Sequence, residues 1–137
     1  MESQNAVLIP LLTDATIAVV ASETKVVYGT VLPFMHRAKA IIPYAEVYAV
    51  GGTAPTATVE GEWSLDKVNW KAFDDNPLDL SLNAVTLVNG DPYTNSVNFG
   101  PFVRFNVKVA ASGANAGTIR LTIVFNVIFD SAPAAPA

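Results

Sequence analysis

Cysteine is absent from the 137 residues. That excludes a disulfide framework and any zinc site built on thiolates, while leaving the cellular compartment open. The single histidine is His36. A Cys–His catalytic pair is therefore impossible, as is a metal site with two imidazole ligands from one chain. A Ser-His-Asp triad would have to recruit His36 from the segment Pro33-Phe34-Met35-His36-Arg37, and no Gly-x-Ser-x-Gly occurs anywhere. A glycine-rich phosphate loop and a dinucleotide fingerprint are missing too. These absences predict a chain with no catalytic residues, no cofactor and no metal.

Charge is the next thing in short supply. Charged residues make up 15% of the chain and hydrophobic ones 51%, where an average domain carries about 25% charge. A short chain has much surface to cover for its volume. The deficit points to a surface partly covered by other subunits, as in a homo-oligomer or a larger assembly; an unusually well filled core is the alternative. The net charge of −4 argues against nucleic acid as a direct partner. Residues 1–10 have no basic leader and only a short apolar patch, so no signal peptide is expected. The apolar run 119–129 is interrupted by Arg120, Thr122 and Asn126, too polar and too short to span a bilayer. No membrane partner is expected either.

What remains is a dense record of β-strands. Val103, Phe105, Val107 and Val109 face one way along their run, and Ile119, Leu121, Ile123, Phe125, Val127 and Phe129 do the same along theirs. A Gly/Ser/Asn/Ala stretch separates the two runs. Read as a hairpin, they would pair with Val107 or Ala111 opposite Ile119, which keeps Lys108 from facing Arg120. Arg104, Lys108 and Arg120 would then form a basic stripe on its outer face, either solvated or touching an acidic neighbour. Val124 and Ile128 make the far end of that face too apolar for water, so a second layer or another subunit should cover it.

Upstream, β-branched runs at 15–21 and 25–32 read as two strands with a tight connection. A loop at 33–37 precedes a strand-like run at 38–50 that contains Pro43. Residues 56–64 alternate strictly, with Ala57, Val59, Gly61 and Trp63 on one face and Thr58, Glu60, Glu62 and Ser64 on the other. Shorter runs follow at 68–73 and 78–88, then the turn Asn89-Gly90-Asp91-Pro92 and an irregular stretch at 93–100. Eight or nine strands without a long amphipathic helix predict a single all-β domain, an antiparallel β-sandwich or jelly roll, with a closed barrel as the alternative. Its bounds are residues 14–129. An apolar N-terminal arm, 1–13, precedes it and a disordered Ala/Pro tail, 130–137, follows. Pro10 should break any regular element in the arm. Val7, Leu8, Ile9, Leu11 and Leu12 either pack as an edge strand on this domain's own core or dock on a neighbour.

Three other groups of residues invite a functional reading. Asp66, Asp74, Asp75 and Asp79 could attract Ca²⁺, but their spacing fits no EF-hand loop and turn or cap roles account for them. Glu60 and Glu62 share one strand face without a cleft that would make them a glycosidase pair. Tyr28, Tyr44, Tyr48, Trp63, Trp70 and Tyr93 could form a sugar-stacking platform, although Trp63 lies on the apolar face of its strand, where core packing is the expected role.

The segment Val59-Glu60-Gly61-Glu62-Trp63-Ser64-Leu65-Asp66-Lys67-Val68-Asn69-Trp70 resembles the Ser-x-Asp…Trp hairpin of many extracellular and virion β-domains. It differs from the sialidase Asp-box, which has glycine where Val68 stands and its tryptophan one residue later. Together with Gly100-Pro101-Phe102-Val103-Arg104-Phe105 and the terminal Gly-Thr-Ile-Arg-Leu run, it resembles small β-sandwich virion proteins of tailed bacteriophages, head decoration (cement) proteins above all. The resemblance covers about residues 57–129. It implies a jelly-roll-like protein, made in the host cytoplasm, that oligomerises on the capsid exterior and bridges subunits of the major capsid protein. The interface residues this reading selects are Val7, Leu8, Ile9, Leu11, Leu12, Phe34, Met35, Tyr93, Val124 and Ile128. A carbohydrate-binding β-sandwich and a phage tail or fibre-base component are the competing expectations.

Overall fold

The computed structural model describes residues 5–73, 78, 80–94 and 100–129. These form ten strands in two antiparallel sheets, with one 3-10 turn at Met35–Arg37 and no α-helix among them. The strands are β1 Asn5–Val19, β2 Thr24–Tyr28, β3 Ala38–Gly52, β4 Thr56–Ser64, β5 Lys71–Ala72, β6 Ser81–Leu82, β7 Thr86–Asn89, β8 Tyr93–Thr94, β9 Phe102–Ala110 and β10 Gly117–Phe129. The first sheet has the order β1-β10-β3-β7, with β8 also on β3; the second has β2-β9-β4-β5, with β6 also on β4. The short strands share places. β5 and β6 pair with opposite ends of β4, and β7 and β8 with different parts of β3. Each sheet thus has four positions, and the chain alternates between sheets so that its first and last strands are neighbours. This is an eight-position jelly roll.

The period-two apolar faces close on one another. Val103, Phe105, Val107 and Val109 of β9 and Ile119, Leu121, Ile123, Phe125 and Val127 of β10 are all buried, as the alternation predicts. Phe105 and Phe125 stack across the sandwich with ring centroids 3.9 Å apart and planes 16° from parallel.

The hairpin reading is corrected here. β9 and β10 lie in different sheets, so neither Val107 nor Ala111 faces Ile119. Ile119 pairs with Ile17 and Val50, and Val107 with Val27 and Val59. The physical reason is that an alternating apolar face is satisfied equally by an in-sheet neighbour and by an opposing sheet. The 111–116 connection does close a local turn, with Ser112 bridged to Asn115, but it carries the chain from one layer to the other instead of pairing β9 with β10. The basic stripe dissolves with the hairpin. Arg104 and Lys108 sit on the second sheet and Arg120 on the first, each beside a carboxylate.

The N-terminal boundary shifts as well. Residues 5–13 are not separate from the sandwich but form the first half of β1, paired with β10 from Asn5↔Phe129 onward. Pro10 does not end the strand. It lies on an edge, where a missing N–H costs no ladder bond, and the register shifts just after it, between Pro10 and Leu12. The expected tail at 130–137 lies outside the described residues.

Candidate docking surface

The two sheets present opposite kinds of outer face. On the second, Glu60 meets Lys108 at 3.3 Å and Glu62 meets Arg104 at 3.3 Å. Asn106 Nδ2 donates to Glu62 Oε1 at 2.8 Å. The Arg104 guanidinium lies 4.3 Å from both the Tyr28 and the Trp70 ring centroids. Glu60 and Glu62 are thus engaged with cations, and Tyr28 and Trp70 with Arg104. This is a charged face laced by ion pairs, with Asn106 buried beneath them.

The first sheet differs. Cα partners point to the same side of a sheet, so β10 residues Val124, Asn126 and Ile128 share the outer face with Pro10, Leu8 and Ala6 of β1 and with Tyr44, Ile42 and Ala40 of β3. Leu87 of β7, opposite Glu46, extends the surface. Leu8 is 67% exposed and Leu87 77%. Charge is sparse on this face: Glu46 stands between Thr122 and Leu87, and an ion pair lies at the far end. There the irregular register between Leu12 and Ala15 leaves Asp14 with a left-handed backbone, φ 46°. Asp14 forms a bidentate pair with Arg120, which holds its carboxyl below the usual range, and Tyr48 shares a hydrogen bond with Thr122.

The residues selected from sequence divide accordingly. Leu8, Val124 and Ile128 lie on the apolar outer face, the last two half-buried by their neighbours. Val7 is exposed at the edge, whereas Ile9, Leu11 and Leu12 pack against the protein's own core. Met35 is a correction: it is buried and available to no partner, because the adjacent Phe34 takes the outward position. Tyr93 is half-buried and stacks on Phe73 with centroids 4.8 Å apart. Ile42, Tyr44 and Leu87 lie on the same face and were not among the residues selected. Tyr44 was visible in the alternation of β3, but which face of β3 met solvent depended on pairings that local patterning does not contain.

His36 is exposed within the 3-10 turn. Among the described residues no three His, Cys, Asp or Glu side chains gather where a metal could sit. Of the aspartate cluster, Asp74, Asp75 and Asp79 lie outside the described residues. Asp66 is a turn residue. Its carboxylate accepts from the backbone N–H groups of Asn69 and Val68, each at 2.8 Å, and from Asn69 Nδ2 and Ser64 Oγ. Those bonds, the one from the Asn69 backbone foremost, hold its carboxyl far below the ordinary value of 3.8. A depressed folded pKa adds stability above the unfolded value and loses it as pH falls. Asp66→Asn is therefore expected to lower the melting temperature at neutral pH. Its difference from the parent should shrink steadily below about pH 4, as thermal melts across an acid series would show. A constant difference would mean the turn does not depend on the carboxylate charge.

Beside this turn lies an open hollow of about 360 Å³ lined by Trp63, Leu65, Asp66, Asn69, Trp70 and Lys71. It offers a sugar little: the Asp66 carboxylate is spent on the turn, and Trp70 has Arg104 stacked on its ring. Trp63 is half-buried and packs against the core.

No family model matches the chain, and no curated protein matches it. Among solved structures, a chain from the structure of infectious bursal disease virus, Gx strain, superposes with a TM-score of 0.52 at 12% identity over 97% of this chain. The match spans 37% of that chain, so this protein corresponds to a little over a third of its length. At this identity the likeness shows a shared fold.

Proposed function

We propose that the protein is a non-enzymatic structural subunit of a virus particle, of the decoration (cement) type found on tailed-bacteriophage heads. It oligomerises on the capsid exterior and bridges neighbouring subunits of the major capsid protein. The observation that carries this is the contrast between the two outer faces, one ion-paired and the other apolar over β1, β10, β3 and β7. The fold shared with a chain of a virus structure supports the particle setting. Burying a leucine side chain fully contributes about 1.5–3 kcal/mol. Leu8 and Leu87 alone thus offer several kcal/mol against the cost of association.

The test is a double substitution, Leu8→Lys with Leu87→Lys. Both side chains are already exposed, so folding stability should change by no more than about 0.5 kcal/mol per site. Co-sedimentation with purified shells lacking the protein is expected to disappear, and the sedimentation coefficient of the free protein to drop to that of a monomer. Undiminished shell binding would overturn the assignment of this face. Binding to purified tails but not shells would replace the head location with a tail or fibre-base one.

A further inference from the structure

One end of the sandwich combines exposed apolar side chains with four cations that no carboxylate among the described residues pairs. Residues 29–37 and the turn at 64–70 leave the sheets at this end on either side of β9. Leu32 and Trp63 both pair with Val103, one from each flank, so the two loops emerge roughly 10 Å apart, two strand spacings. Pro101 lies between them and accepts from the Met35 N–H at 2.9 Å.

Phe34 is 69% exposed, Leu65 71% and Val68 76%. Phe34 has a left-handed backbone, φ 60° and ψ 22°, a conformation costing a non-glycine residue about 1–2 kcal/mol. With Met35 sunk into the core beside it, this conformation leaves an aromatic ring in water at the loop tip. Such strain clusters where a segment has work to do.

The charges are as unevenly placed. The chain has eight Lys and Arg residues. Four stand beside carboxylates, in the pairs Lys25–Glu23, Arg104–Glu62, Lys108–Glu60 and Arg120–Asp14. The other four, Arg37, Lys39, Lys67 and Lys71, all lie at this end, and none is joined to a carboxylate among the described residues. Asp66, in the same turn, is exposed and stays ionised while its oxygens accept from the turn's own donors, so the four cations stand against that one described carboxylate. Lys67 and Lys71 run over the Phe102 and Trp63 rings, 4.8 and 5.8 Å from the centroids.

We infer that this end, carrying Phe34, Leu65 and Val68 among Arg37, Lys39, Lys67 and Lys71, is a docking surface for an anionic lipid membrane. The charge is complementary: each Lys or Arg near an anionic leaflet is drawn to it. The side-chain types favour lipid over an acidic protein. Lysine is depleted at protein interfaces, whereas lysines that lay their stems on apolar groups and aromatics at the headgroup level are features of membrane surfaces. Two separate turns with outward side chains also suit a fluid layer that moulds around them. This departs from the sequence expectation of no membrane partner. That expectation came from the apolar runs, which do not register residues that only the fold assembles.

The test is flotation of the full chain with phosphatidylcholine vesicles, with and without a third of phosphatidylserine. The parent is expected to bind the anionic vesicles about tenfold more tightly than the neutral ones at low salt, and to lose most of that advantage at high salt. Lys67→Gln with Lys71→Gln should weaken anionic binding about tenfold, and so should Phe34→Asn with Leu65→Ser, asparagine being tolerant of the left-handed backbone. Val20→Ser, in the exposed turn at the opposite end of the sandwich, should not weaken it. The chain's only tryptophans, Trp63 and Trp70, flank the turn, so brominated lipid should quench their fluorescence in the parent. Equal binding to both vesicle types, no binding, or binding indifferent to the loop substitutions would overturn the proposal. So would retention on immobilised polyglutamate without vesicle binding, which would assign the end to an acidic protein.

Discussion

Phe125→Ala is expected to destabilise the protein by about 3–5 kcal/mol, the range for emptying a buried aromatic site. Phe125 is fully buried at the centre of the first sheet and stacks on Phe105 of the second. Phe105 meets Phe73 edge-on, with centroids 6.4 Å apart and planes at 87°, and Phe73 stacks on Tyr93. These four rings form one connected series through the core. Removing Phe125 deletes a terminal ring and leaves a void between β9 and β10 that rigid strands can only partly close. For a chain of this size the melting temperature should drop by roughly 10–20 °C. Urea unfolding measures the same loss as a lower midpoint at nearly unchanged slope. A cost below about 1 kcal/mol would mean that the stack does not hold the layers together.

How much of this was legible beforehand is best seen in the same strands. The burial of Phe105 and Phe125 follows from alternation alone, because a period of two assigns each residue a face. Their relation to each other does not follow from it. Stacking across two sheets and adjacency within one produce the same pattern, and the hairpin reading chose the wrong one. A similar limit applies to β1. Val7, Leu8, Ile9, Leu11 and Leu12 read as a uniformly apolar arm, yet the strand turns Ile9 toward the core and Leu8 outward, and the register shift after Pro10 puts both Leu11 and Leu12 against the core. Only the pairing with β10 distinguishes the residues free to bind a partner from those already used.

The apolar outer face of the first sheet shows this limit most clearly. Val124 and Ile128 stood out because they are apolar on the polar side of their own strand. Ile42 and Leu87 complete the surface from strands far away in sequence, and no local pattern links them. Low charge pointed to a partly covered surface, but it did not say where. The answer depends on the distribution of the few charges: two of the four ion pairs serve the second sheet's outer face, and four cations are left for one end. The Asp66 turn was the opposite case. Its residues are contiguous, so its Ser, Asp and Asn chemistry could be read from a short segment.

Gly117→Ala is the second change with a large expected effect, and it separates a contact cost from a backbone cost. Gly117 opens β10 and pairs with Val19 on one side and Gly52 on the other. The connection from β3 to β4 crosses from the first sheet to the second directly above it. A β-carbon at Gly117 would overlap the Thr53 carbonyl oxygen and lie 3.0 Å from the Pro55 ring. Relief requires moving backbone, which would also strain the 3.2 Å bond from Thr53 N–H to the Ala116 carbonyl. Overpacking of this kind costs about 1–3 kcal/mol and more where backbone must shift; about 3 kcal/mol is expected here, a melting temperature lower by roughly 10 °C. Gly113→Ala is the comparison. Gly113 has φ +60° with nothing within 4 Å of an added β-carbon, so its cost is the left-handed backbone alone, about 1–2 kcal/mol. Thermal melts that rank Gly117→Ala clearly below Gly113→Ala would identify the close approach of the crossing loop as the reason for glycine at 117. The reverse order would show that the 53–55 connection yields easily and that the interlayer crossing is not fixed by this contact.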